Sequence, residues 1–473
     1  MPDLATATGS RQTTDHRDET PNQADPGQPP ADQDPAFLRK VFSSTAKRQR
    51  WLDVESALAQ AEADTGIIPQ DAAARIAACA HLDLLDQARI AAEEAVTGHV
   101  MVPLVSELSR VVGTEHGGWV HWGATTQNIQ QSGDTVGVKD AHIHLRHSLC
   151  QVIETLAGLA ETYADDQMAG RTHWQHAVPI TFGFKVAAWL DVMARHLERL
   201  TQLEPRLFVS MSGGAAGTFA TLGERGPAVQ DGVARILGLR AMNVPSRNIV
   251  DHFAEFVCTL GMISATASSI AEEIARLMAT EFGEVSESIP TGDIGSSTMP
   301  QKRNPKLCSG IATAGATVRA LVPLALEAMI QSHEVDGSRS AMMDRAVEQA
   351  AVFTGDSLHM LHKLLGDLEV FPERMRSNLE LTGGLIAAEA VMMHLAGLVG
   401  RQKAHGIVHQ AANQAATSES TFMEALSSNP EISALLTASQ IRALLEPAHH
   451  LGLSAEIARA TAERGRKALK PNA

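Results

Sequence analysis

The segment GDIGSSTMPQKRNP, residues 292–305, sets two adjacent hydroxyls, Ser296 and Ser297, ahead of an ammonium at Lys302 and an amide at Asn304. Its glycines and prolines exclude a continuous helix or strand, and it is too polar to be core. A serine hydroxyl is a poor base unless its alkoxide is stabilised nearby, and an ammonium lowers the hydroxyl pKa by charge proximity. Backbone N–H groups of a glycine–serine turn, with Lys302 and Asn304, are suitable donors to negative charge that develops during a reaction. The plain alternative is a turn with capping serines.

Two further stretches carry usable groups. In HWGATTQN, residues 121–128, Thr125, Thr126 and Gln127 supply hydroxyl and amide donors suited to a carboxylate, and Asn128 adds another amide. In GRTHWQH, residues 170–176, Thr172 and His173 stand together, and His173 with His176 has the spacing of a metal pair. No third ligand is apparent, so no metal is expected, and a packed His176 is the better reading. SGGAAGT, residues 212–218, lacks the Gly-Lys-Ser/Thr ending of a phosphate loop and reads as a turn or a close helix approach. RHLERL, residues 195–200, is a solvated face on which Arg195 is a candidate to reach a pocket. Arg345 closes the polar run HEVDGSRSAMMDR, residues 333–345.

The elements that must position these groups read as helices. RQRWLDVESALAQAEADTGIIP has apolar residues at helical spacing, stopped by Gly66 and Pro69. Further helices are expected near 71–79, 85–95 and 98–110, and long ones over 138–168, 180–205 and 305–332. Between Pro245 and Pro290 lie 44 residues without proline, which predicts a helix of about 40 residues, roughly 60 Å long. Small residues there (Gly261, Ala265, Ala267, Ser268, Ala271) would let neighbouring helices approach closely, and such a long bundle predicts self-association. A last helical region spans about 371–473. There is no internal repeat and no alternating strand pattern.

Composition agrees. The chain has 473 residues, 44% hydrophobic and 20% charged, with 4% aromatics and a single tyrosine, Tyr163. Abundant alanine with few aromatics favours helix-on-helix packing. A formal net charge of −15 leaves no basic surplus for nucleic acid, though local cations can still bind a small anion. The four cysteines show no CxxC spacing and predict neither a disulfide framework nor a zinc site. No secretion signal is recognisable and no apolar run approaches a membrane span, so a cytoplasmic protein with no membrane partner is expected. Residues 1–34 hold almost no large apolar side chain and predict a disordered acidic tail.

The loop resembles the GSSxMPxKxNP motif of the fumarase/aspartase superfamily at every fixed position. GRTHWQHAVPITFGFK and HWGATTQNIQQSGDT are similar to that family's Thr-His and first substrate-binding segments. MSGGAAGTFATLGERG and LTGGLIAAEAVMM resemble the subgroup of adenylosuccinate lyases and 3-carboxymuconate cycloisomerases. The resemblance implies an all-α, three-domain fold with a central long-helix bundle: domains at 35–125, 126–370 and 371–473 after the tail. It implies proton abstraction next to a carboxylate and expulsion of a group from the adjacent carbon, usually giving fumarate. By it Ser296 is the base, on a loop that closes over substrate. His173 assists proton delivery or binds a carboxylate, and Lys302 and Asn304 stabilise charge. Thr125, Thr126, Gln127, Asn128, Thr172, Ser297, Thr298, Met299, Arg345 and Arg195 are its candidate substrate contacts. It further implies no cofactor, a small dicarboxylate substrate, and a homotetramer whose sites are shared between subunits.

Departures narrow the expectation. The Arg-Tyr pair that adenylosuccinate lyases use for phosphate is absent. Gln301 replaces the usual histidine, Asn128 the usual aspartate, and Ala341 a serine four residues before Arg345, while IVDH, residues 249–252, keeps only Asp251 of another motif. The combined pattern looks most like lyases that split nitrosuccinate into fumarate and nitrite, with Asn128 expected to donate to a nitro oxygen. Cleavage of adenylosuccinate or another N-substituted succinate, muconate cycloisomerisation, and a non-catalytic scaffold are the alternatives.

Overall fold

The computed structural model describes residues 36–288, 298–299, 301–418 and 420–470. The expected tail, Ser296 and Ser297 lie outside the described residues. What is described is overwhelmingly helical, as the composition requires.

The chain opens with α1 (Phe37–Val41) and α2 (Ser44–Asp64), where Ser43 caps α2 by accepting the Ala46 N–H. Gly66, at φ 71°, turns the chain toward α3 (Gln70–Cys79), followed by α4 (Gln87–Thr97) and α5 (Met101–Val112). The long elements are α6 (Thr126–Thr162), α7 (Phe182–Leu207), α9 (Asp251–Leu277), α10 (Lys306–Ala328) and α11 (Gly337–Gly366), with the shorter α8 (Gly226–Ile236) between α7 and α9. A hairpin of β1 (Gln167–Thr172) and β2 (Gln175–Thr181) joins α6 to α7. Two residue-pair ladders complete the strands: β3 (Val209–Ser210) parallel to β4 (Arg240–Ala241), and β5 (Val285–Ser286) antiparallel to β6 (Glu369–Val370). Then follow α12 (Pro372–Leu379), α13 (Ala388–Val399), α14 (Arg401–Thr417), α15 (Phe422–Ser428), α16 (Pro430–Ser433), α17 (Ala438–Leu444) and α18 (Ser454–Ala468).

Three main apolar cores hold these elements, and they are not contiguous in sequence. The first gathers α2 to α5 around Leu52, Ile76, Ile90 and Leu108, and recruits Val229 and Val233 from α8. The central one runs through α6, α7, α9, α10 and α11, and takes Ala458 and Ala462 from the last helix, α18. The third closes on Val391, Leu395, Phe422 and Leu426. Within the bundle α9 packs on α7, α10 and α11, and α6 on α7 and α11. His142 on α6 bonds the Leu200 carbonyl of α7, and Ser268 on α9 meets Arg319 of α10, so chain neighbours run antiparallel. The starts of α6, α9 and α11 therefore share one end of the bundle.

Several expectations need correction. The longest helix is α6, with 37 residues, about 55 Å; the proline-free stretch holds only the 27-residue α9. Lack of proline permits a helix without enforcing one. Before α9, Arg247 and Asn248 spend their side chains on the carbonyls of Ala215 and His333, and after it Gly283 at φ 59° leads into β5. The 30-residue α11 was not foreseen, nor was the hairpin, whose two-residue turn contains no glycine. Of the small residues singled out on α9, Gly261, Ala267, Ser268 and Ala271 face their own chain and only Ala265 is exposed. A Cβ on Gly261 would lie 2.7 Å from Val322 of α10, so the close approach is internal. Both α9 and α10 are also long and apolar enough to cross a membrane, with mean hydropathy 1.4 each. The reason on α9 is burial within the bundle; α10 leaves much of its apolar surface uncovered.

Candidate active site

The predicted residues fall into two groups at opposite ends of the bundle. At the start of α6, Asn128 is 2% exposed and its amide is saturated. Its Oδ1 accepts the N–H groups of Thr125 (3.0 Å) and Gly214 (3.1 Å), while Nδ2 donates to Met211 Sδ (2.9 Å) and the Gly214 carbonyl (3.4 Å). The first bond is the reverse arm of a capping box, and the others tie the glycine turn 212–218 beneath the helix start. An amide has two donors and one acceptor oxygen with two lone pairs, and all are taken. Asn128 thus has nothing left to give a substrate in this conformation: it positions its neighbours, contrary to the expectation of a direct contact.

Those neighbours line a cleft of about 530 Å³. Thr126 and Gln127 open onto it together with Arg247, which sequence reasoning missed. Gln127 Oε1 accepts from Arg247 Nε at 3.0 Å, and Arg247 also donates to the Ala215 carbonyl at 3.1 Å. A guanidinium has five N–H groups, so three remain for an anion. His99 lines the same cleft. Its Nδ1 accepts the N–H groups of Met101 (3.2 Å) and Val102 (3.4 Å) at the start of α5, which places the ring proton on Nε2. A histidine just ahead of a helix start was the available signal; nothing in PSRN, residues 245–248, marked Arg247. Asp134 and Asp344 also line the cleft, and both carboxyls are pushed upward, first by desolvation; Asp344 adds to the shift at Asp134, and Lys47 opposes it at both. Arg345, next to Asp344, is exposed and does not line the cleft. Arg195 is half-exposed on α7 and paired with Asp191, away from the cleft-lining residues.

The second group sits at the far end. β1 and β2 pair Thr172 with Gln175 and Arg171 with His176, leaving His173 and Trp174 as the turn. Their φ values are 48° and 68°, the signs a type I′ turn demands and for which Asn-Gly is the usual solution. Left-handed backbone at non-glycine residues costs on the order of 1–3 kcal/mol each and concentrates at functional sites. Across from Gly170 the register slips by one, and a Cβ there would meet the Val178 carbonyl at 2.8 Å. Arg171 forks onto Glu284 at 3.0 and 2.6 Å, and Asn378 holds the same carboxylate at 2.8 Å. This buried pair fixes the hairpin to the segment that leads toward residue 288. Glu287 then accepts the N–H groups of Leu307 and Cys308 at the start of α10, a stabilising place for an anion. Arg303 bonds Glu369 at 2.7 Å, so both described stems of the serine loop are anchored here. Thr298, Met299, Lys302 and Asn304 are exposed, as are Thr172 and His173. His176 is half-buried beside Arg171, and desolvation followed by that cation keeps its pKa low; it packs. No cluster of three or more metal-ligating side chains occurs among the described residues.

α9 measures the separation. Val250 lines the cleft, and Arg276 lies over the Trp174 ring at 5.4 Å. Twenty-six residues of helix intervene, roughly 40 Å, far more than any small dicarboxylate can bridge.

The chain matches the family described as lyase over residues 31–319 and that described as adenylosuccinate lyase C-terminus over 384–461. The N-acetyl-S-(2-succino)cysteine lyase of Enterococcus italicus is 36% identical over 421 residues, covering 89% of this chain and 92% of that protein. The 3-carboxy-cis,cis-muconate cycloisomerase of Pseudomonas aeruginosa is 38% identical over 442 residues, covering 92% and 96%. The crystal structure of a fumarate lyase from Mesorhizobium sp. BNC1 superposes with TM-score 0.84 at 36% identity, covering 90% of this chain and 97% of that one. The chain belongs to the fumarase/aspartase superfamily of lyases, in the subgroup of adenylosuccinate lyases and 3-carboxymuconate cycloisomerases.

Proposed function

We propose that the protein eliminates a leaving group from a substituted succinate to give fumarate, and that nitrosuccinate, yielding nitrite, is its substrate. The observation that carries the elimination reading is that one chain holds both a cleft edged by Gln127 and Arg247 and an outward-facing Thr172–His173 turn. Ser296 takes the proton from the carbon next to one carboxylate, and the electron pair spreads into that carboxylate. Donors on Lys302 and Asn304 oppose the developing charge. The pair then forms the C=C bond as the C–N bond breaks, and nitrite leaves with its electrons. Nitrite is a weak base, so His173 has little protonation to supply and serves chiefly to hold a carboxylate. The nitrosuccinate choice is supported by the pattern HWGATTQNIQQ with MPQKRNP. Asn128 contributes through the neutral, saturated support it gives to Thr125 and Gln127.

The reading includes a homotetramer with shared sites. The 40 Å gap supports it, because one chain cannot bring both groups to one substrate. So do the uncovered faces: Met262, Ala265 and Ser269 on α9, and Thr313, Ala316 and Ala320 on α10, recur at three- and four-residue spacing. A second substrate reading, a C–S lyase of a succinylated thiol, is favoured by the volume of the cleft, which exceeds what a nitro group needs.

The test is incubation of the purified protein with nitrosuccinate, N-acetyl-S-(2-succino)cysteine, adenylosuccinate and 3-carboxymuconate, measuring fumarate, nitrite and thiol. Nitrite and fumarate in equal amounts from nitrosuccinate alone are expected. Fumarate with thiol from the succinylated cysteine, and no nitrite, replaces that substrate with the second one. Loss of carboxymuconate without fumarate removes the elimination reading.

A further inference from the structure

We infer that Trp174 is a specificity-determining residue: its indole forms a wall of the assembled site beside His173 and limits the size of the leaving group. This rests on the reading of the chain as a succinate lyase. Trp174 shares its two-residue turn with His173, and both side chains are exposed there. At φ 68° a bulky side chain occupies backbone where glycine is nearly free of strain, and the ladder on either side needs no indole to set its register. The ring is 77% exposed, the most exposed aromatic among the described residues, and it joins none of the apolar cores. One contact orients it: the Arg276 guanidinium lies 5.4 Å from its centroid and is itself held by Glu272 at 2.9 Å. A rigid aromatic, backed by a cation on one face and strained into an outward position, is shaped to meet something absent from a single chain. The occupant assigned here is the substrate's departing group.

The experiment compares wild type, Trp174→Gly and Trp174→Phe. Because glycine suits the turn, Trp174→Gly should keep the wild-type assembly and a Tm equal to or above wild type. Its kcat/KM ratio for N-acetyl-S-(2-succino)cysteine over nitrosuccinate should rise about tenfold or more, the scale on which pockets discriminate by steric bulk. Trp174→Phe should stay near the wild-type ratio. An unmoved ratio, or dissociation of Trp174→Gly into smaller species, overturns the inference, the latter by making Trp174 a subunit contact. A second arm needs no turnover: fumarate should quench indole fluorescence in wild type and lose most of that effect in Trp174→Phe. If neither succinate is cleaved, the substrate reading fails while this arm still decides, and quenching that is absent in wild type or unchanged in Trp174→Phe overturns the placement.

Discussion

At the start of α6 the polar groups are already committed to one another, whereas on the β1–β2 turn they are held outward. Asn128 fills its hydrogen-bonding capacity inside the chain, and Gln127 and Arg247 brace each other. Thr172, His173 and Trp174 instead stand exposed, the last two on strained backbone, steadied from behind by Arg171 on Glu284. One end is a lined cleft whose polar groups are largely committed; the other presents its polar groups on an exposed turn. The difference is what the proposed shared-site assembly has to reconcile.

The strongest way to break that comparison is complementation. Arg247→Gln and His173→Asn should each lower kcat/KM by about a hundredfold, the range of a lost hydrogen bond to a charged carboxylate; asparagine tolerates the positive φ at 173. Co-expressed, the two variants should recover activity tens of times above either alone, because hybrid assemblies contain sites with both ends intact. Activity of the hybrids no greater than that of the parents would return the whole site to one chain.

A smaller effect sharpens the claim that Asn128 supports rather than contacts. Asn128→Asp removes the donors to Met211 and Gly214 and buries a charge, which should cost about 1–3 kcal/mol in chemical denaturation, with kcat falling and the leaving-group preference unchanged. A preference that switches without loss of stability would restore Asn128 as a substrate contact.

The smallest effect concerns the core behind the cleft. Glu62 on α2 is fully buried, neither carboxyl oxygen has a hydrogen-bond partner, and desolvation, then the charge of Glu55, push its pKa up to about 9. The folded chain keeps a proton that the unfolded chain releases above an ordinary value of 4.5. Unfolding therefore releases a proton between those values, and stability falls as pH rises through that window. Glu62→Gln should be close to wild type at pH 5 and denature at higher urea at pH 8.5. Parallel pH profiles for the two proteins would remove the buried neutral acid from the account.

The sequence by itself determined the helical class of the fold and the family it belongs to. Periodicity and stop residues located α2 to α5 within a few positions, and GSSTMPQKRNP, TTQN and Thr172–His173 marked the family, since residue type and local order define those motifs. Other features were illegible because they depend on partners distant in the chain. Arg247 and His99 are ordinary in sequence and line the cleft only because α9 and α5 start beside α6. The hairpin was hidden because His173 and Trp174 adopt backbone that their types disfavour, held there by Arg171 and Glu284, 113 residues apart. The tertiary structure alone decided that Asn128 is saturated and that the α6 cleft and the β1–β2 turn lie a helix length apart. Hydrogen-bond saturation and separation are properties of packed elements, and no local stretch of sequence contains them.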